Sequence, residues 1–534
     1  MKKGITLLLA SLILYPAMAQ RPGSAIDVNS YIFELELNDL NDQITGKATV
    51  DVRFLQAGSL VQLDLISSNG KGKGMTVTRV TENNKPLSFT HLRDTLRITL
   101  DAPAKKDESR SVVISYEGIP ADGLIISKNL FGHRGFFSDN WPNRARNWIP
   151  CNDHPADKAG VEFIITAPDH YQVVANGVQL EESSLPNKKK LTHYKETVPL
   201  PTKIMVIGAA DFAVQYAGEV GCVPVYSWIY PENKEKGFYD YALAKDILAY
   251  FINLVGPYAY KKLANVQSTT MFGGMENASA IFYAEKSVTG TRKCEGLIAH
   301  EIAHQWFGNM ATEADWSHIW LSEGFATYMT IWYFEQTHGQ DTAADMRAKD
   351  RKTVITFSRK YSEPVVDNTV TDYLQLLNAN SYQKGGWILH MLRTQIGDSA
   401  FLRGIRNYYA AFAGKNAVTE DLQRVMEKAS GKNLNKFFKQ WLYTPGQPKL
   451  DIRWKYDAAR NLISGTVQQL QPTPFEFPLD LSWTEAGEAH PTLITLRVKE
   501  SKTSFSFPVK APPSNFVIDP GVHLLFEGTA KEEQ

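Results

Sequence analysis

Between Tyr31 and about Phe212, apolar and polar residues alternate in short runs broken by Gly, Asn, Asp and Pro. A period of two puts successive side chains on opposite faces of an extended chain, so these runs predict β-strands. Phe33, Leu35 and Leu37 share one face, as do Ala48, Val50, Val52 and Phe54, and again Leu96, Ile98 and Leu100. No long helix is expected in this part. From about Ala213 the period changes. Phe238, Tyr241, Ala242, Leu248, Phe251, Ile252 and Val255 recur at three and four before Gly256-Pro257, which predicts one amphipathic helix. A strand-like segment around Val266 follows, and residues 341–444 alternate helical runs with short loops. Beyond the turn-rich stretch from Trp441 to Pro448 the strand pattern returns at Ile452 and Trp454, Phe475 to Leu481, Leu493 to Val498 and Phe505 to Val509. These predict a β-sandwich of about eighty residues. The expected fold class is multidomain α+β: an N-terminal all-β domain over 20–212, a helix-rich domain over 213–444 and a C-terminal β-sandwich over 445–534.

A chain of 534 residues exceeds what one core supports, in keeping with that division. Lys plus Arg equals Asp plus Glu at 57 each, so no basic surplus points to nucleic acid, and Lys188-Lys189-Lys190 reads as a solvated loop. Lys2 and Lys3, the apolar run Ile5 to Leu14 and the small residues Ala17-Met18-Ala19 make residues 1–19 a signal peptide. The run is too short for a stable membrane span, so a mature chain beginning near Gln20 is expected in a periplasm or outside the cell. Cys151, Cys222 and Cys294 form no disulfide framework and lack metal-ligand spacing; all three are expected in the core.

The chemistry concentrates in His300-Glu301-Ile302-Ala303-His304 and, after eighteen intervening residues, in Glu323. Two histidines four apart lie on one helix face and reach one metal ion, with Glu301 beside it. Gly308 and the polar run to Ser317 allow a turn into a second helix carrying Glu323 as third ligand. The first helix is expected from Thr291 to Gly308 and the second from Leu321 to His338. Two histidines and a carboxylate leave a fourth position open, the coordination of a catalytic zinc, one ion per chain. Taken alone, the five-residue pattern would equally suit a helix with two surface histidines and a solvated glutamate.

Two further stretches, Gly273-Gly274-Met275-Glu276-Asn277 and Tyr382-Gln383-Lys384-Gly385-Gly386, flank that pattern in order. Together the three motifs resemble the gluzincin aminopeptidases, the family that contains aminopeptidase N and leukotriene hydrolase. The resemblance implies a thermolysin-like zincin catalytic domain over 213–444 and an N-terminal β-domain that contributes one wall of the active site. The implied activity is removal of the first residue from peptides with a free N-terminus. Zinc on His300, His304 and Glu323 would carry a water, Glu301 would take its proton and return it to the leaving amine, and Tyr382 would hold the oxyanion. Gly273 and Gly274 let backbone approach a ligand, the segment to Asn277 can pair with a peptide by strand addition, and Glu276 would bind the α-ammonium. Phe272 and Ala278-Ser279-Ala280 are expected to line the first-residue pocket and to favour a neutral or apolar side chain.

The chain departs from the family pattern at two places. Where the family often has a glutamine near the substrate amine, Asp139, Asn140 and Trp141 stand here, so Asp139 is either an amine ligand or a loop cap. Seven residues after Glu323, where the family usually has a glutamate that orients a histidine, this chain has Thr330. Residues after 445 leave no room for the large helical domain of many relatives, so a more open cleft is expected. Three other readings compete: a zinc endopeptidase, a non-peptide hydrolase of the epoxide type, and an inactive peptide-binding protein. The sequence fixes no oligomeric state.

Overall fold

A computed structural model describes residues 24–68, 70 and 72–533, so the expected signal peptide lies outside the described residues. The alternating runs form strands as expected. Phe33 and Leu35 in Ile26–Glu36 and Leu37 just after it are buried, as are Ala48, Val50, Val52 and Phe54 in Ile44–Phe54. These two antiparallel strands, with Phe33 opposite Ala48, sit inside an eight-stranded sheet. On its other side Ile26–Glu36 pairs in parallel with Ala159–Pro168, and Phe33 stacks on Phe163 at 5.6 Å. A three-stranded sheet carries the buried Leu96, Ile98 and Leu100, and a four-stranded sheet includes Arg134–Ser138 and Ile207–Ala210. Lys190 departs from its expected solvated loop: it is a buried strand residue paired with Glu182 at 3.5 Å.

A five-stranded mixed sheet follows, built from β1 (Ala213–Val220), β2 (Val223–Ile229), β3 (Leu263–Ser268), β4 (Gly274–Met275) and β5 (Ala280–Ala284) in the order β1-β2-β3-β5-β4. β2, β3 and β5 run parallel, and β4 is the antiparallel edge. The amphipathic run after β2 is two helices, Lys234–Tyr241 and Leu243–Leu254, instead of one, because the chain turns at Ala242. Cys151 and Cys294 are buried, whereas Cys222 is exposed at the β1–β2 hairpin tip with φ 66°, a correction to its expected core position.

The site-bearing helices are α1 (Glu295–His304), α2 (Trp320–His338), α3 (Gln340–Ser358) and α4 (Gly385–Ile396). α1 starts later than expected because the backbone amides of Thr289, Gly290 and Arg292 donate to the buried Asp240 carboxylate, and Arg292 takes φ 59°. Its last turn tightens to three-residue hydrogen bonds at Gln305 and Trp306. Among the described residues no helix is long and apolar enough to cross a membrane.

After Trp441 come two sheets of four and three strands, and Trp454 of the first stacks on Phe516 of the second at 4.5 Å. Arg351 pairs with Asp519, Arg347 Nε donates to the Val522 carbonyl at 3.1 Å, and both contacts hold α3 against this part. The strand-rich amino-terminal part is clamped from the other side. Lys203 and Glu313 form an ion pair at 2.5 Å, both essentially without solvent contact, and Lys158 Nζ donates to the carbonyls of Asn309, Met310 and Lys415.

Breaking a buried pair from one side leaves an uncompensated charge, which costs roughly 3–5 kcal/mol. Lys203→Met is therefore expected to lower unfolding free energy by about that amount in urea titrations, and the double variant Lys203→Met/Glu313→Leu to recover most of it. Equal stability of the single variant and the parent would show that the pair does not clamp the two parts.

Candidate metal centre

β4 lies along α1 because glycine permits it. A Cβ on Gly274 would sit 2.3 Å from Glu301 Oε1, so the Glu301 carboxylate packs directly on the edge-strand backbone. One turn of α1 carries His300 and His304. α2 begins after a short turn capped by Asp315 and brings Glu323 into its first turn.

His300 Nε2 and His304 Nε2 are 3.1 Å apart, and Glu323 Oε2 lies 3.5 Å and 3.3 Å from them. Ligand atoms about 2.0–2.1 Å from a tetrahedral centre are roughly 3.3 Å apart, so these three atoms fit one zinc ion with a fourth position left. With Nε2 turned inward, His304 Nδ1–H donates to the Phe307 carbonyl at 3.2 Å, and Ser322 Oγ lies 3.0 Å from the same nitrogen. Thr330 plays no such part: its hydroxyl donates to the Ala326 carbonyl of its own helix at 2.8 Å.

Electrostatics separate the carboxylates. Burial, reinforced by Glu276 and Glu323 and opposed by His304, pushes Glu301 well above the usual carboxyl range. For Glu323 burial is outweighed by the two imidazoles, chiefly His304, which hold it well below that range. Burial lowers His300, while in His304 the neighbouring carboxylates outweigh burial and raise it to about 9.

Tyr382 arrives from the far side. Its ring stacks on His300 at 5.9 Å and 13°, and its hydroxyl reaches the Glu323 carboxylate. Burial and the surrounding carboxylates, Glu323 first, raise the phenol, so it stays a neutral donor. It sits in a π-turn, Asn380–Lys384, ahead of α4. That turn is fixed by a crossing of α2 and α4 at Gly324 and Gly385, where a Cβ on Gly324 would come within 2.8 Å of Gly385 Cα.

Glu276 is 4 % exposed and its Oε1 has no partner. Its backbone carbonyl is fixed by Gln305 Nε2 and Asn309 Nδ2, each at 2.7 Å. One ligand atom from each of Glu276, Glu301 and His304 falls within 4.8 Å of the others. Gly273, Gly274, Met275 and Glu276 line the cleft at the metal centre, which has a volume of about 450 Å³, and Phe272 packs edge-on against Trp141 at 6.2 Å in its wall. Asn277 is buried behind them and is not a lining residue.

Four expected residues, Asp139 and Ala278-Ser279-Ala280, lie elsewhere. Asp139 is fully buried off the cleft, paired with Arg144 at 2.9 Å and accepting from Thr270 Oγ1 and the Met271 amide, so it anchors the turn before β4. Ala278, Ser279 and Ala280 are buried too. The Ala278 carbonyl accepts from Asn176 and Ser279 Oγ from the Gly177 amide, so they tie β4 to the amino-terminal part instead of lining a pocket. Conversely, Leu297, Thr327, Ile331, Met346, Asp350 and Leu377 line the cleft without having been singled out. A signal for some existed: Glu323, Thr327, Thr330 and Ile331 fall on one helical face, as do Met346 and Asp350.

Two imidazoles and one carboxylate with an open fourth position, beside a buried carboxyl, are the donor set of a catalytic metal centre and not of a closed structural one. Comparison with known sequences assigns it further. Residues 239–441 match the Peptidase family M1 domain and residues 28–204 the Peptidase M1 N-terminal domain. The chain belongs to peptidase family M1. It is 28% identical over 359 residues to the Probable aminopeptidase 2 of Sulfurisphaera tokodaii, covering 63% of this chain and 45% of that protein. It is 25% identical over 428 residues to the Leucyl aminopeptidase of Saccharolobus solfataricus, covering 74% and 52%. With the Glutamyl aminopeptidase of Rattus norvegicus it shares 26% over 382 residues, covering 67% and 40%. The chain thus spans about half the length of the relatives it matches.

If Ser322 and the Phe307 carbonyl orient His304, Ser322→Ala should weaken zinc binding by about tenfold or more in chelator competition, while Thr330→Val leaves it near the parent value. The reverse ranking would reassign the orienting role to Thr330.

Proposed function

We propose that this protein is a zinc aminopeptidase that removes the N-terminal residue from peptides. The observation that carries this reading is Glu276, a buried carboxylate with an unpartnered oxygen fixed beside the metal centre at the end of an edge strand. A free α-ammonium is the group that such an oxygen suits, and binding it there sets cleavage one residue in.

A zinc ion held by His300, His304 and Glu323 would polarise the scissile carbonyl and acidify the attacking water. Glu301 takes the proton of that water and gives it to the leaving amine, a task that a carboxyl raised by burial suits because burial strengthens its hold on a proton. Tyr382 donates its hydroxyl to the oxygen that gains charge. The free edge of β4 aligns the peptide backbone by strand addition. Phe272, Trp141 and Leu377 support a preference for a neutral or apolar first residue.

The mixed sheet with an antiparallel edge strand, followed by helices bearing the ligands, supports a thermolysin-like zincin domain over 213–444, between a β-domain over 20–212 and a β-sandwich over 445–534. The pattern of residues 2–19 supports export, with the mature chain starting near Gln20 in a periplasm or outside the cell. Amino-terminal sequencing of the exported protein should read from near Gln20; a chain found only in the cytoplasm and starting at Met1 would overturn that.

The decisive assay is hydrolysis of one peptide with its amino terminus free and then acetylated, with and without a chelator. Only the free form is expected to be cleaved, and chelation should abolish cleavage. Glu301→Gln should keep near one zinc per chain yet lose about three orders of magnitude or more in kcat. Equal cleavage of the acetylated form would favour an endopeptidase, and near-normal turnover by Glu301→Gln would remove it from the mechanism.

A further inference from the structure

β4 and α1 run side by side in the same direction. A Cβ on Gly273 would face Leu297 Cδ1 at 3.9 Å, Gly274 rests on Glu301, and the Glu276 carbonyl is bonded to Gln305 and Asn309 past the last turn. From Gly296 to Gln305 the helix rises roughly 13 Å. On the aminopeptidase reading, the substrate's amino group is fixed at the Glu276 end and its first carbonyl near Glu301. The chain beyond the cleaved bond then leaves toward Gly296 and Leu297, antiparallel to β4.

The wall at that end is made by Leu297, Thr330, Ile331, Met346 and Asp350. Met346 and Asp350 stand one turn apart on α3, facing Thr330 and Ile331 of α2. Among the described residues of this wall, Asp350 alone carries a charge. It is half-buried and makes no hydrogen bond or ion pair with any described residue. Burial raises it to about 6, with Lys349 next to it on the exposed side opposing. A carboxylate held in this way gains from a cation that the protein itself does not provide.

We infer that Asp350 makes the subsite for the second substrate residue selective for lysine or arginine. The aliphatic stem lies on Leu297, Ile331 and Met346, and the charged head meets the Asp350 carboxylate. An acidic second residue meets a like charge there and is disfavoured. This inference rests on the aminopeptidase reading and adds to it a preference on the leaving side of the bond.

The test is kcat/KM of the zinc-loaded enzyme on Ala-Xaa-Ala-Ala tetrapeptides with lysine, arginine, glutamine, leucine or glutamate as Xaa. Lysine and arginine should exceed glutamine by on the order of tenfold, with glutamate lowest. In Asp350→Asn the lysine-to-glutamine ratio should fall to near one, and in Asp350→Lys glutamate should overtake lysine. Each ratio is taken within one variant, so a reduced active fraction cancels. A parent ratio near one, or a ratio that survives in Asp350→Asn, overturns the inference. Alanyl-aminomethylcoumarin, which has no second side chain, separates the two readings. Its hydrolysis with a flat tetrapeptide profile overturns the Asp350 assignment alone, whereas failure to cleave it or any free tetrapeptide overturns the aminopeptidase reading as well.

Discussion

Two close approaches of backbone, one onto α1 and one between α2 and α4, position the groups of this site. Gly274 lets the edge strand rest on the Glu301 carboxylate, and the Gly324–Gly385 crossing lets α4 approach α2 without a side chain between them. Glu323 precedes Gly324, and Tyr382 lies three residues before Gly385, so that one crossing draws ligand and phenol toward the same point. A methyl group at either glycine would push the two helices apart. Metal coordination tolerates only about 0.2 Å of error in ligand distance, so the spacing of 3.1–3.5 Å among the three ligand atoms is inherited from these contacts.

The edge strand gains its rigidity from outside its own sheet. β4 has only two register pairs with β5, too few to hold a strand in place by themselves. Asp139 grips the Thr270–Met271 turn ahead of it, Asn176 and Gly177 bind Ala278 and Ser279 behind it, and Gln305 and Asn309, just past the end of α1, fix the Glu276 carbonyl. The amino-terminal sheets therefore act on the site through the segment that bears Glu276. A positioning shell of this kind keeps a carboxylate aimed when the group that it is to bind is absent.

What was legible in the sequence was local or periodic. Two histidines four apart need only helical geometry, and the buried faces at Phe33, Ala48 and Leu96 need only alternation. What was illegible depends on tertiary pairing. That Asp139 finds Arg144 and Thr270 instead of the cleft depends on which way a loop folds. Composition marks Cys222 as a core residue, but the hairpin turn exposes it. The family pattern led to Thr330 as the odd residue in the histidine's support. In the folded chain that support comes from Ser322, one position before the ligand glutamate, and from a backbone carbonyl that no sequence pattern displays.

Three carboxylates, Glu276, Glu301 and Glu323, are buried together with the His304 imidazole and beside the half-buried His300, an arrangement that costs free energy unless cations compensate it. Their surroundings differ in a way that separates their tasks. Glu323 faces both imidazoles and stays ionised, as a metal ligand must. Glu276 is fixed through its backbone while a carboxylate oxygen is left unpartnered, which suits it to an incoming ammonium. Glu301 lies against glycine backbone with no fixed cation of its own, and burial raises its affinity for a proton. On the proposed reading each carboxylate therefore has a different positive partner: a metal ion, the substrate's amino terminus, and a proton in transit. Exchanging the environments of Glu276 and Glu301 would leave the charge count unchanged and remove the chemistry.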